Sequence, residues 1–163
     1  MGAALLEVKN RKVNYCFSQT YTFKEKDFFG RLEGIKKSLK ELLSKCPPIH
    51  HFALESLIFV KNPNSLAKLA QARGVILSEI LEKNKAASCF EYAPNLVKNM
   101  SSGFGHASKE SVALFLRYYL KVESFASTDE SDAVAIALCH IFQQRLDSQT
   151  QIQPQGDQHV RLY

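Results

Sequence analysis

The chain of 163 residues is 45% apolar, with a formal net charge of +5 and an isoelectric point near 9.0. Its length suits one domain with a real core, and it lacks both a long uncharged apolar run and an opening signal-peptide pattern, so it reads as soluble, cytoplasmic and without a membrane partner. The basic balance fits a polyanion without requiring one, and Cys16, Cys46, Cys89 and Cys139 contain no C-x-x-C pair, so they read as mostly buried reduced thiols.

Ala3 to Val8 and Val13 to Phe23 read as a β-hairpin. In the second run Val13, Tyr15, Phe17, Tyr21 and Phe23 fall on alternate positions, interrupted at Gln19, and Lys9 to Lys12 form the polar connection. The period then changes: Phe28, Leu32, Ile35, Leu39 and Leu42 make an amphipathic helix that must stop at Pro47 and Pro48. HHFALE is a short apolar strand ending in Glu55. A polar loop leads to a long helix carrying Leu66, Leu69, Ile76, Leu77 and Ile80, and Cys89 to Tyr92 gives another short strand. The loop SSGFGHASK, a helix around Val112 to Leu120 and a helix opening at STDESDAVAIALCH follow. From Asp147 the chain is Gln-rich without apolar periodicity, which predicts a domain over 1–146 and a flexible tail over 147–163. The order ββαβαβ, then helices, predicts an α/β fold with a mixed central sheet flanked by helices.

Two acids near the last helix's start can be ordinary capping, with Ser127 as N-cap and Glu130 three residues on. Asp129 and Asp132, however, stand at i and i+3 on one helix face, where like charges repel unless a divalent cation lies between them. Glu55 is the candidate third acid, because open α/β sheets carry their sites at the carboxyl ends of strands. A solvated strand end explains Glu55 equally well on pattern alone. Gly103 and Gly105 lack the further residues of a nucleotide loop and suit a tight turn, His106 receives no role, and His140 reads as structural.

The segments ALESLIFVKNPNSLAKLAQARG, FEYAPNLVK, GFGHASK and DESDAVAIALCH resemble, in order, the signatures of the RuvC family of Holliday-junction resolvases. The resemblance implies a ribonuclease H-like fold and a homodimer that cuts opposed strands of a four-way DNA junction with Mg²⁺, two ions per site, alongside junction-migration proteins. It assigns Glu55, Asp129 and Asp132 as catalytic metal ligands, and Lys98 and Lys109 as contacts to the scissile phosphate. Ile58 stands where the family carries a phenylalanine that stacks on an unpaired base; the neighbouring Phe59 can take that role or pack in the dimer interface, with Lys61 a further DNA contact. The helix after Asn64, with Leu66, Leu69 and Ala70, is the expected dimer interface.

The N-terminus departs from the pattern. Family members begin with a strand ending in D-P-G, the central strand of the sheet, whose Asp is a catalytic acid; here only a later glycine is matched, by Gly2. The expectation is that the first strand is missing from this chain and that the natural protein starts upstream of Met1. The alternatives are a junction-binding protein that has lost cleavage, or a related ribonuclease H-like nuclease acting on another nucleic acid.

Overall fold

A computed structural model describes residues 1–57, 62–102 and 109–150. Strands β1 (Gly2–Lys9) and β2 (Lys12–Thr20) form an antiparallel hairpin. Asn10 and Arg11 take φ of 52° and 61°, and positive φ at both turn positions gives the two-residue turn whose twist matches the flanking strands. The side-chain alternation differs from the expected single stripe. Leu5 pairs with Phe17 but Leu6 pairs with Tyr15, so Cys16 is an extra, bulged residue. The bulge resets the alternation: Val13 and Tyr15 pack against the core, while Phe17 turns away and Ser18 and Thr20 take the inner positions.

Helix α1 (Phe28–Lys45) starts where Asp27 accepts a hydrogen bond from the Gly30 N–H at 2.7 Å, and it ends before Pro47 and Pro48. Strand β3 (His51–Glu55) leads to α2 (Pro63–Lys83), capped by Asn62 with Pro63 in the first turn. Strand β4 (Ser88–Tyr92) lies parallel to β3, as a crossover helix requires. Helix α3 (Pro94–Ser102) was not expected; its signal is a proline at the helix start with Leu96, Val97 and Met100 behind it. Helices α4 (Lys109–Leu120) and α5 (Thr128–Thr150) complete the chain. Helix α5 continues through Thr150, so the tail boundary expected at Asp147 falls inside it, while 151–163 lie outside the described residues.

The core gathers around α5. Leu116 of α4 and Val134, Leu138 and Cys139 of α5 are fully buried, with Tyr92 and Val97 beside them. Burial pushes the Cys139 thiol up to about 11, so it is inert at neutral pH. The expectation of mostly buried cysteines fails for the rest, since Cys16 and Cys89 are exposed and Cys46 is half-buried.

The expected single mixed sheet is present as two separate pairs, antiparallel β1–β2 and parallel β3–β4, with no described strand joining them. Helix α5 packs against both pairs, whereas α1 and α2 pack extensively only on each other. Between the pairs opens a cleft of about 1890 Å³, lined by β1, β3, α5 and the inner faces of α1 and α2. Among the described residues no helix is long and apolar enough to cross a membrane.

Candidate active site

The capping at the start of α5 is done by residues other than the two aspartates. Ser127 Oγ accepts from the Glu130 N–H at 3.2 Å, and the largely buried Glu130 carboxylate accepts from the Ala126 N–H at 3.0 Å and from Ser18 Oγ at 3.2 Å. Thr20 Oγ1 also bonds Ser127 Oγ. These bonds tie the first turn of α5 to β2 and leave Asp129 and Asp132 to line the cleft, which Glu55 enters from the end of β3. The start of β1 presses so closely on this turn that a Cβ on Gly2 would collide with the Asp129 carbonyl, so only glycine fits.

Arg73 fixes the other side. Its Nη1 donates to the Glu55 carbonyl at 2.8 Å, and its Nη2 lies 2.8 Å from Glu91 Oε1 on β4, an ion pair whose N–H bonds do not point at the oxygen. Arg73 thereby joins α2 to the strand end that carries Glu55. Pattern reading gave Arg73 no role, although a signal exists: it stands on the stripe Leu69, Ile76, Ile80, where an apolar residue would be expected.

His140 lies deeper along α5 and is structural, as expected. Its Nε2 meets His51 Nδ1 at 2.8 Å and its Nδ1 meets the Tyr92 hydroxyl at 2.7 Å, with the Phe90 ring centroid 4.5 Å away. Burial, and next the charge of His51, push its pKa below the ordinary histidine range.

Carboxylate oxygens are the donors that Mg²⁺ prefers, so Glu55, Asp129 and Asp132 have the right chemistry. Their placement does not fit a metal as it stands. No three His, Cys, Asp or Glu side chains among the described residues come within joint reach of one ion, and Asp129 Oδ2 is engaged by the Met1 ammonium at 3.2 Å.

Residues 1–140 match the family described as Crossover junction endodeoxyribonuclease RuvC. The chain belongs to the RuvC family. A Thermotoga petrophila RuvC is 35% identical over 147 residues, covering 89% of this chain and 87% of that one. A Klebsiella pneumoniae RuvC is 34% identical over 144 residues, covering 87% and 82%. Thermus thermophilus RuvC superposes with a TM-score of 0.74 at 27% identity, covering 90% of this chain and 89% of that one. The same enzyme in complex with a Holliday junction substrate gives 0.74 at 25% identity, covering 89% and 87%. The fold is therefore ribonuclease H-like, as expected.

The remaining RuvC-type positions divide unevenly. Lys98 is exposed on α3, and Lys109 opens α4. Ile58, Phe59 and Lys61 fall outside the described residues, as does the glycine loop at 103–108. On the expected dimer helix Leu69 lines the cleft, together with Ile76 and Ile80. The face of α2 left outward is Ala70, Gly74, Leu77 and Leu81, where the Gly74 position meets open space and Leu81 is 59% exposed.

Proposed function

We propose that the chain is a cytoplasmic endodeoxyribonuclease of recombination and repair that binds four-way DNA junctions and hydrolyses phosphodiester bonds within them. The observation that carries this reading is membership of the RuvC family over residues 1–140, with Glu55, Asp129 and Asp132 all lining one cleft. The three carboxylates are the ligands for Mg²⁺ in this reading, two ions per site, and Lys98 and Lys109 neutralise the scissile phosphate as point charges. Phe59, with Ile58 and Lys61 beside it, meets the junction centre. A homodimer suits a substrate with two equivalent strands, and the outward stripe Ala70, Gly74, Leu77 and Leu81 suits close helix packing. Junction-migration proteins are the partners this reading implies.

The test is single-turnover cleavage of a labelled four-way junction, with and without Mg²⁺, against plain duplex and RNA–DNA hybrid at equal salt. Mg²⁺-dependent cutting of the junction above both controls is the expected result, and equal cutting of all three would point to a nuclease of another substrate class. A second reading has its own observation: with no three-ligand group among the described residues, the chain binds junctions without cutting them. Retained junction selectivity in binding, with no cleavage under any metal, would decide for that reading.

A further inference from the structure

Two histidines and a tyrosine form a continuous hydrogen-bonded chain from the cleft into the core. His51, exposed at the start of β3, meets His140 of α5 at 2.8 Å, and His140 meets the Tyr92 hydroxyl of β4 at 2.7 Å. Both histidines line the cleft, whereas Tyr92 is a core residue only 5% exposed. The direction of donation is set from the buried end. Among the described residues His140 Nδ1 is the bonding partner of the Tyr92 hydroxyl, so a hydroxyl that only accepted would strand a buried donor. Tyr92 therefore donates to Nδ1. A neutral imidazole carries one N–H, so His140 holds its proton on Nε2 and donates to Nδ1 of His51, whose own proton is on Nε2.

The surroundings favour these forms. From β4, the Phe90 ring packs on both imidazoles, at 5.2 Å from His51 and 4.5 Å from His140. Burial, and next the charge of His51, push the His140 pKa down; burial, and next the charges of Cys139 and Asp147 on α5, push the Tyr92 pKa up. The ion pairs of α1 and α2 lie elsewhere, at Lys36–Glu79, Lys45–Glu41 and Arg73–Glu91, and Lys98 of α3 is exposed. His50, the residue before His51, has its carbonyl bonded to the Ser88 N–H.

We propose that His51, His140 and Tyr92 form a reversible relay, in which a proton taken up at the cleft by His51 reverses the direction of donation back to the buried tyrosine. Protonated His51 carries N–H on both nitrogens, and two N–H groups cannot face each other across 2.8 Å. His140 therefore moves its single proton from Nε2 to Nδ1, by exchange with water when the pair opens. Its Nε2 then accepts from His51 and its Nδ1 donates to the Tyr92 oxygen. The relay gains one proton and loses none, and His140 stays neutral in both states. The cleft's protonation is thereby read at β4, where the Tyr92 hydroxyl gives up the acceptor it had. The relay stands on hydrogen-bond geometry alone, so its test uses no DNA or metal and is independent of the nuclease reading.

The test is nuclear magnetic resonance of isotope-labelled histidine nitrogens in the full chain between pH 7.5 and 5, which reads the proton on each imidazole nitrogen separately. At pH 7.5 His140 is expected to carry its proton on Nε2. As His51 gains its second proton, the His140 proton should shift to Nδ1 with the same midpoint. His51→Gln offers a carbonyl acceptor that takes up no proton, so His140 should then keep its proton on Nε2 with no shift to Nδ1, while His50→Gln should leave the reversal unchanged. His140 keeping its Nε2 proton throughout the His51 titration, becoming protonated on both nitrogens in step with it, or reversing equally in His51→Gln would each overturn the proposal. Should a variant fail to fold, the nitrogen signals of the unsubstituted chain decide by themselves.

Discussion

Arg73→Ala tests the tie between α2 and the Glu55 strand end. Two interactions are lost, and they differ in size. The bond from Nη1 to the Glu55 carbonyl is charge-assisted and made by a side chain only 13% exposed, which is worth about 1.5–3 kcal/mol. The partner of Nη2, Glu91, is 56% exposed, so solvent screening leaves that ion pair about 0–1 kcal/mol. The sum is about 1.5–4 kcal/mol, or a fall in Tm of roughly 3–16 °C for a chain of this length. Glu91→Gln should cost under about 1 kcal/mol, since it touches only the weaker interaction. Arg73→Lys should fall between them, because one ammonium cannot span both partners in the guanidinium's geometry. The assay is thermal unfolding of the three variants by circular dichroism, with single-turnover junction cleavage alongside. Glu55 is positioned through its own carbonyl, so Arg73→Lys should lower cleavage more than junction affinity. A Glu91→Gln loss as large as that of Arg73→Ala, or an Arg73→Ala chain of unchanged Tm, would refute this assignment of the energy.

Asp132→Asn should abolish Mg²⁺-dependent cleavage while metal-free Tm holds or rises, since Asp129 and Asp132 share a face and like-charge repulsion there costs about 0.2–0.5 kcal/mol; retained cleavage with lowered Tm would return the residue to a helix-start role. Lys98→Ala and Lys109→Ala should each reduce junction cleavage more than Lys12→Ala, which lies at the hairpin turn, and equal losses in all three would count against the phosphate assignment. His140 gives a pH signature of definite sign: its folded pKa lies below the unfolded value, so its stability contribution is full above pH 6.5 and is lost as pH falls from there through the folded pKa. Tm measured between pH 7.5 and 5 should therefore drop with acid, and His140→Gln should flatten that part of the profile.

How much of this was legible depended on whether one periodicity governed a segment. The long helices were readable because α1 and α2 repeat apolar positions over several turns, and the parallel β3–β4 pair followed from short apolar runs either side of a helix. Helix α3 was hidden because its nine residues make only about two and a half turns, too few to separate a helical period from a loop with three apolar residues. The division of the sheet into two pairs has a different origin: pairing is a long-range property, and nothing local to β1 or β3 states which strand stands beside it. The shared face of Asp129 and Asp132 was readable because their spacing lies within one turn, whereas Arg73 acts on a residue 18 positions away, a relation that only the fold creates.

The bulge at Cys16 shows how a strand irregularity places the acids, and it yields a prediction that a simple view of strands would get wrong. Deleting a residue from a regular strand flips every later side chain to the opposite face. Cys16, however, is the unpaired residue between Tyr15 and Phe17, so its removal leaves Tyr15 opposite Leu6 and Phe17 opposite Leu5. Ser18 and Thr20 then keep their inward positions, their bonds to Glu130 and Ser127, and with them the seating of α5. Deleting Gln19 instead carries Thr20 to the outer face, breaks its bond to Ser127 and pulls Tyr21 away from Met1, to which it is bonded through both backbone groups. The Cys16 deletion should therefore cost about 1 kcal/mol or less, and the Gln19 deletion about 2–4 kcal/mol from several lost hydrogen bonds. Thermal unfolding of the two single-residue deletions measures the difference directly. If both lower Tm equally, the bulge does not set the facing of β2, and the seating of Asp129 and Asp132 must come from the packing of α5 on β1 alone.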